Sequence, residues 1–237
     1  MLGAFLSGSR GKGFATDHSD YDVVIVVRDG ALKQCGARYP FRCAANIDCT
    51  LHDLTGFRNH AAYGSPDAWN RYDFAHVELL FDRTGELPRF IDDKGRIPEA
   101  HRNELLRESL DAYVNGVYRS LKCLRNANIL GAKLEAAVSV SALLTFLFAL
   151  EGRHAPFPGY LERELRQYPL EHLPLSPDTL LSLIDHVLVS ANSKAQQALL
   201  KIVDSLARDA GLEGVLADWG EAYGWMQSFS LPSLLPR

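Results

Sequence analysis

FLSGSRGKGFATDHSDYDVVIVV, residues 5 to 27, decides the fold. A short apolar run ends at Gly8 and Ser9, a polar loop follows, and Asp20 and Asp22 then open an unbroken β-branched run. A buried carboxylate is costly unless it is paired, hydrogen-bonded or bound to a metal, so these two need a partner that the run does not contain. Strand alternation places Asp20 and Asp22 on one side, roughly 7 Å apart, with Tyr21 facing away.

A third carboxylate lies in AANIDCTL, residues 44 to 51. Alternation gives that run an apolar face of Ile47, Cys49 and Leu51 and a polar face of Asn46, Asp48 and Thr50. If the two strands are neighbours, Asp48 stands beside the first pair. Three such aspartates would hold two Mg²⁺ ions about 3.5 to 4 Å apart, an arrangement suited to activating an attacking oxygen and steadying a leaving pyrophosphate. Gly8 and Ser9 would begin a turn or short helix whose N–H groups and hydroxyl cradle a triphosphate, with Arg10 and Lys12 offsetting its charge.

Outward from this stretch, the first half of the chain carries short β-rich runs at 3 to 7, 21 to 27, 43 to 51 and 76 to 81. Beyond DDKGRIP (92 to 98) helical spacing takes over, beginning with the stripe Leu106, Leu110, Tyr113, Val114, Val117, Leu121 and Leu124. Further helices are expected at 133 to 151, 158 to 167, 177 to 190, 193 to 210 and 213 to 228, with Ser176 as a cap. The fold class is therefore α+β: a small mixed-sheet domain over 1–97, then an all-α helical bundle over 98–237.

The 237 residues are 47% apolar and 23% charged, ordinary for a globular protein. A net charge of -4 and a pI near 6.1 argue against a protein that tracks nucleic acid by neutralising phosphates and favour a small acceptor. Cys35, Cys43, Cys49 and Cys123 form no CxxC pair, so reduced thiols in a cytoplasmic protein are expected. The apolar run 136 to 150 falls short of the roughly 20 residues that span a bilayer and reads as a core helix, so no membrane is expected. Trp69, Trp219 and Trp225 read as packing residues, and Phe157 and Tyr160 as closing a core.

SGSRGKGFATDHSDYDVVIVV resembles the signature of the DNA polymerase β-type nucleotidyltransferases, a hydrophobic-Gly-Ser step followed after a loop by Asp-x-Asp. A small catalytic domain followed by a helical bundle is similar to the aminoglycoside nucleotidyltransferases, especially the kanamycin type. WNRYDFAHVELLFDRTGELPRFI (69 to 91) resembles the segment that follows the third carboxylate in those enzymes. The resemblance implies Gly8 and Ser9 on the triphosphate, Asp20 and Asp22 on metal, and Asp48 as the third carboxylate. It implies a Mg²⁺-dependent enzyme that moves AMP from ATP onto a hydroxyl of a small molecule.

Family members carry a helix before the Gly-Ser strand, and here only the first seven residues precede Gly8, so that helix is expected to be missing. Lys122 is placed as the phosphate-binding lysine of the long helix. Tyr118 then stands where the kanamycin type has a glutamate base, and Glu135 reads either as a base or as a first-turn acid of the next helix. A protein-modifying nucleotidyltransferase of a toxin and antitoxin pair, and a regulatory module that binds nucleotide without turnover, remain alternatives. A protein partner or a homodimer also stays open.

Overall fold

YDVVIVV becomes the central strand of a five-stranded sheet. The strands are β1 (Gly3–Leu6), β2 (Tyr21–Val27), β3 (Arg42–Ala44), β4 (Ile47–Asp53) and β5 (Glu78–Asp82), in the order β3-β4-β2-β1-β5. The sheet is mixed: β2 runs parallel to β4, while the β1/β2, β1/β5 and β3/β4 pairs are antiparallel. The computed structural model describes residues 1–38, 40 and 42–231, with the backbone alone for Arg42 and Cys43. The end of the proline-bearing tail, 232–237, lies outside the described residues.

Two compact units emerge, one of Met1–Pro98 with Pro156–Tyr160 and one of Glu99–Ala155 with Leu161–Arg237. In the first, alternation along the strands feeds two apolar layers. Phe5 and Val26 pack with Phe57, Phe74, Leu87 and Ile91 on one face, and Ala4, Ile25, Val27 and Cys49 make the other. Each such large side chain removed from water contributes about 1.5–3 kcal/mol. The helices of this unit are α1 (Gly8–Gly11), α2 (Leu32–Arg38), α3 (Leu54–Asn59) and α4 (Leu87–Gly95), with a 3-10 helix at Ala68–Phe74.

The run 43 to 51, expected as one strand, is a hairpin: β3 and β4 with a turn at Ala45 and Asn46. That turn contains neither glycine nor proline, so the alternation reads straight through it. The long connection from α3 to β5 is held by side chains. Arg71 donates to the carbonyls of Ala61 (2.9 Å), Arg96 (2.9 Å) and Asp93. Lys94 donates to those of Arg58 (3.0 Å) and His60 (2.6 Å). Both cations are buried, and each satisfies carbonyls that no ladder reaches.

Nearby, the His52 and His60 rings stack at 4.7 Å, and His60 Nδ1 lies 2.7 Å from the Asp67 carboxylate. Burial, then His60 and Lys94, push His52 down to about 4. Cys35 and Cys123 are free thiols, but Cys49 is disulfide-bonded, against the expectation of reduced thiols throughout. The lack of a CxxC pair excluded a local motif and not a bridge closed by folding.

Among its described residues the second unit is built of helices: α5 (Glu99–Arg125), α6 (Ile129–Leu150), α7 (Leu161–Gln167), α8 (Pro177–Ser190), α9 (Ser193–Asp209), α10 (Glu213–Ala217) and α11 (Gly220–Ser228). The α5 stripe is buried throughout. Arg102 donates to the carbonyl of Ala149 at 2.9 Å and Ser120 to that of Ala132 at 3.0 Å, so α5 and α6 run antiparallel. Gly116 lets them approach closely, since a Cβ there would lie 2.7 Å from that of Ser139. Ser176 caps α8 by accepting from the Thr179 amide at 3.2 Å. α6 is longer than expected and matches a membrane span by length and composition; half of its apolar window is buried, with Leu130, Leu134 and Val138 on the exposed face.

Candidate active site

β1 ends at Leu6, and the chain turns sharply back across the start of β2. The Ser7 amide donates to the Asp22 carbonyl at 2.9 Å, which fixes the turn against the acidic strand. Gly8 adopts φ +58, and a Cβ there would sit 1.8 Å from Asp22 Oδ2, so the backbone touches the carboxylate where only glycine fits. α1 begins at this contact. Its first N–H groups have no intrahelical acceptors, and Ser7 supplies no side-chain cap.

Asp20 lies just before β2, Asp22 is its second residue, and Asp48 is the second residue of β4. The parallel register sets Asp22 directly against Asp48. As a result, one ligand oxygen from each of Asp20, Asp22 and Asp48 falls within 4.8 Å of the others. The strand alternation expected for Asp22 and Asp48 is realised, and the neighbour relation on which it depended is the β2/β4 pair. Burial, then Asp20, Asp73 and Asp48, raise the Asp22 carboxyl above its usual range, with Lys12 opposing. Three hard oxygen donors crowded in this way suit a divalent ion such as Mg²⁺, whose charge would relieve their repulsion.

The basic residues of the loop are both bonded to backbone carbonyls. Lys12, expected to offset phosphate charge, is 1% exposed, and its ammonium donates to the carbonyls of Tyr72 (3.1 Å), Asp73 (3.1 Å) and Ala75 (2.7 Å). Arg10 donates to the carbonyls of Asp20 (3.1 Å) and Ser19 (2.7 Å) and lies 4.0 Å over the Tyr21 ring. It therefore braces the loop that delivers the Asp-x-Asp pair.

No family model matches this chain, and no curated protein matches it. Among solved structures it is similar to a nucleotidyltransferase-like protein from Exiguobacterium sibiricum 255-15, at 14% identity and a TM-score of 0.42, over 95% of this chain and 71% of that one.

Asp73 escaped the sequence reading. It sits in the 3-10 helix Ala68–Phe74, half-buried, and burial raises its carboxyl while Lys12 and His60 oppose. Because it acts on Asp22, it is a fourth acidic group in the field of the triad. A single Asp in WNRYDF carries no periodic signal.

Lys122 belongs to the helical unit, where its ammonium lies 5.0 Å from the Tyr118 ring centre. Glu135 is ion-paired with Arg119 at 2.6 Å. It stands beyond the first turn of α6, so the reading of Glu135 as a first-turn acid is corrected. Helix α6 starts earlier than its apolar run suggested because Asn128 caps it, accepting from the Gly131 amide at 2.9 Å.

Proposed function

We propose that this chain is a Mg²⁺-dependent nucleotidyltransferase that moves a nucleoside monophosphate, AMP from ATP, onto a hydroxyl of a small aminoglycoside-like acceptor. In that reaction the acceptor oxygen forms a bond to the α-phosphorus, the bond from that phosphorus to the bridging oxygen breaks, and pyrophosphate leaves with the electron pair. The hydroxyl proton is released. The observation that carries this reading is the convergence of Asp20, Asp22 and Asp48 beside the Gly8 turn.

Asp20, Asp22 and Asp48 would hold the magnesium. When bound, the ions supply charge neutralisation for the phosphates and a lowered pKa for the attacking hydroxyl. The chain's own contribution is placement. The N–H groups of the α1 turn and the Ser9 hydroxyl receive triphosphate oxygens, and the contact of Gly8 with Asp22 keeps phosphate and carboxylate adjacent. Arg10 holds Asp20 in place through the loop carbonyls. Positioning of this kind can supply most of the rate in phosphoryl chemistry.

Calorimetry with ATP in Mg²⁺ and in EDTA tests the binding half of the reading, and Mg²⁺-dependent binding is expected. Mass spectrometry of reactions containing each nucleoside triphosphate and a pool of aminoglycosides, lincosamides and metabolites tests the transfer half, with a nucleotide adduct expected. Equal ATP binding in EDTA, or no adduct with any acceptor, would remove the proposal.

A further inference from the structure

Trp69, read from the sequence as a packing residue, is 70% exposed. It is the open end of an aromatic row lying wholly within the sheet unit, to which Pro156–Tyr160 contributes two rings. The Trp69 and Phe157 ring centres are 6.2 Å apart, Phe157 meets Tyr72 edge-on at 5.3 Å, and Tyr160 lies 6.3 Å from Tyr72 and 5.8 Å from Phe14. Tyr72 and Phe14 are buried, so the row is firm at its base and bare at Trp69.

Two bonds attach this row to the turn assigned to the triphosphate. The Phe14 amide donates to the Ser9 carbonyl at 2.7 Å, and the Lys12 ammonium donates to the Tyr72 carbonyl at 3.1 Å. β1, with the Gly8 turn at its end, flanks β2 on one side, and β4, with Asp48, flanks it on the other. The row's buried base is bonded to the loop that follows β1, the loop assigned to the phosphates, and Asp73, next to Tyr72 on the same 3-10 helix, lies in the field of Asp22.

From this juxtaposition we propose that Trp69 is the stacking platform for the base of the bound nucleoside triphosphate, with Phe157 backing the indole. The inference rests on the nucleotidyltransferase reading. A planar base with a π-face on each side suits an exposed indole, and stacking of this kind tolerates any base identity. The platform therefore favours nucleoside triphosphates over inorganic tripolyphosphate without choosing among bases.

The test uses the full chain with Trp219→Phe and Trp225→Phe, which leaves Trp69 as the single indole. ATP with Mg²⁺ should quench its fluorescence along the same saturation curve that calorimetry gives. Tripolyphosphate with Mg²⁺ should bind without quenching. In the parent background, Trp69→Ala should weaken ATP binding about tenfold, leave tripolyphosphate affinity and Tm unchanged, and be largely rescued by Trp69→Phe. If ATP binds by calorimetry but does not quench, or binds Trp69→Ala as tightly as the parent, the platform is refuted while the enzyme reading stands. A Trp69→Ala effect confined to the acceptor KM would move the platform to the acceptor and overturn the proposal. If neither ATP nor tripolyphosphate binds, the nucleotide reading fails, and the platform fails with it.

Discussion

Replacing Asp22 with asparagine should make the metal-free protein more stable while making it blind to magnesium. With three carboxylate oxygens inside 4.8 Å of one another, each pair repels by about 0.9 kcal/mol at the dielectric of water and about 3.5 kcal/mol at an effective value near 20. Asp20 is exposed and the other two are half-buried, so solvent and salt hold the effective figure toward the lower bound. Asp22→Asn removes one charge from the cluster and should gain about 1–2 kcal/mol in EDTA, which corresponds to a Tm rise of about 2–8 °C for a protein of this size. The parent should instead be stabilised by Mg²⁺, by about 1.4 kcal/mol at ten times its Kd. Differential scanning calorimetry of both proteins in EDTA and in Mg²⁺ gives the four values needed. A variant no more stable than the parent in EDTA, and still raised by Mg²⁺ to the same extent, would show that these carboxylates neither repel one another nor share an ion.

Gly8→Ala should lose at least tenfold in Mg²⁺-dependent ATP affinity by calorimetry and about 1 kcal/mol of stability, because alanine resists φ +58 and its Cβ would displace the Asp22 carboxylate. Lys12→Met should cost about 2–4 kcal/mol in urea unfolding, since one buried and two part-buried carbonyls would lose the ammonium that donates to them. His52 titrates near 4 when folded and near 6.5 when unfolded, so its contribution is complete above pH 6.5 and is lost as pH falls toward 4. His52→Phe should accordingly show a shallower fall in Tm between pH 6.5 and 4.5 than the parent, and an identical slope would remove His52 as a source of acid sensitivity.

The readable parts of this chain are those in which a local period meets a local need. The alternation of YDVVIVV and IDCTL marked the side that Asp22 and Asp48 share, and the apolar stripe of α5 marked its buried face before any partner helix was known. What escaped depends on distant backbone. The carbonyls that hold Lys12 lie some sixty positions on, and nothing near Lys12 distinguishes it from a phosphate-facing lysine. Glu135 likewise has its Arg119 partner on another helix. Asp73 and Trp69 share a 3-10 helix that neither a strand period nor an α-helical one describes, so the half-burial of the one and the exposure of the other left no trace in the pattern.

The return of Pro156–Tyr160 to the sheet unit bears on how that unit could be isolated. No single cut releases it. A fragment ending at Pro98 would leave behind Phe157 and Tyr160, uncovering the rings of Tyr72 and Phe14 and turning a closed apolar seam into a sticky one. Such a fragment should aggregate on expression unless a peptide spanning residues 156–160 is grafted or supplied. Deletions that shorten the stretch between α6 and α7 should therefore damage a sheet that lies far upstream in the chain.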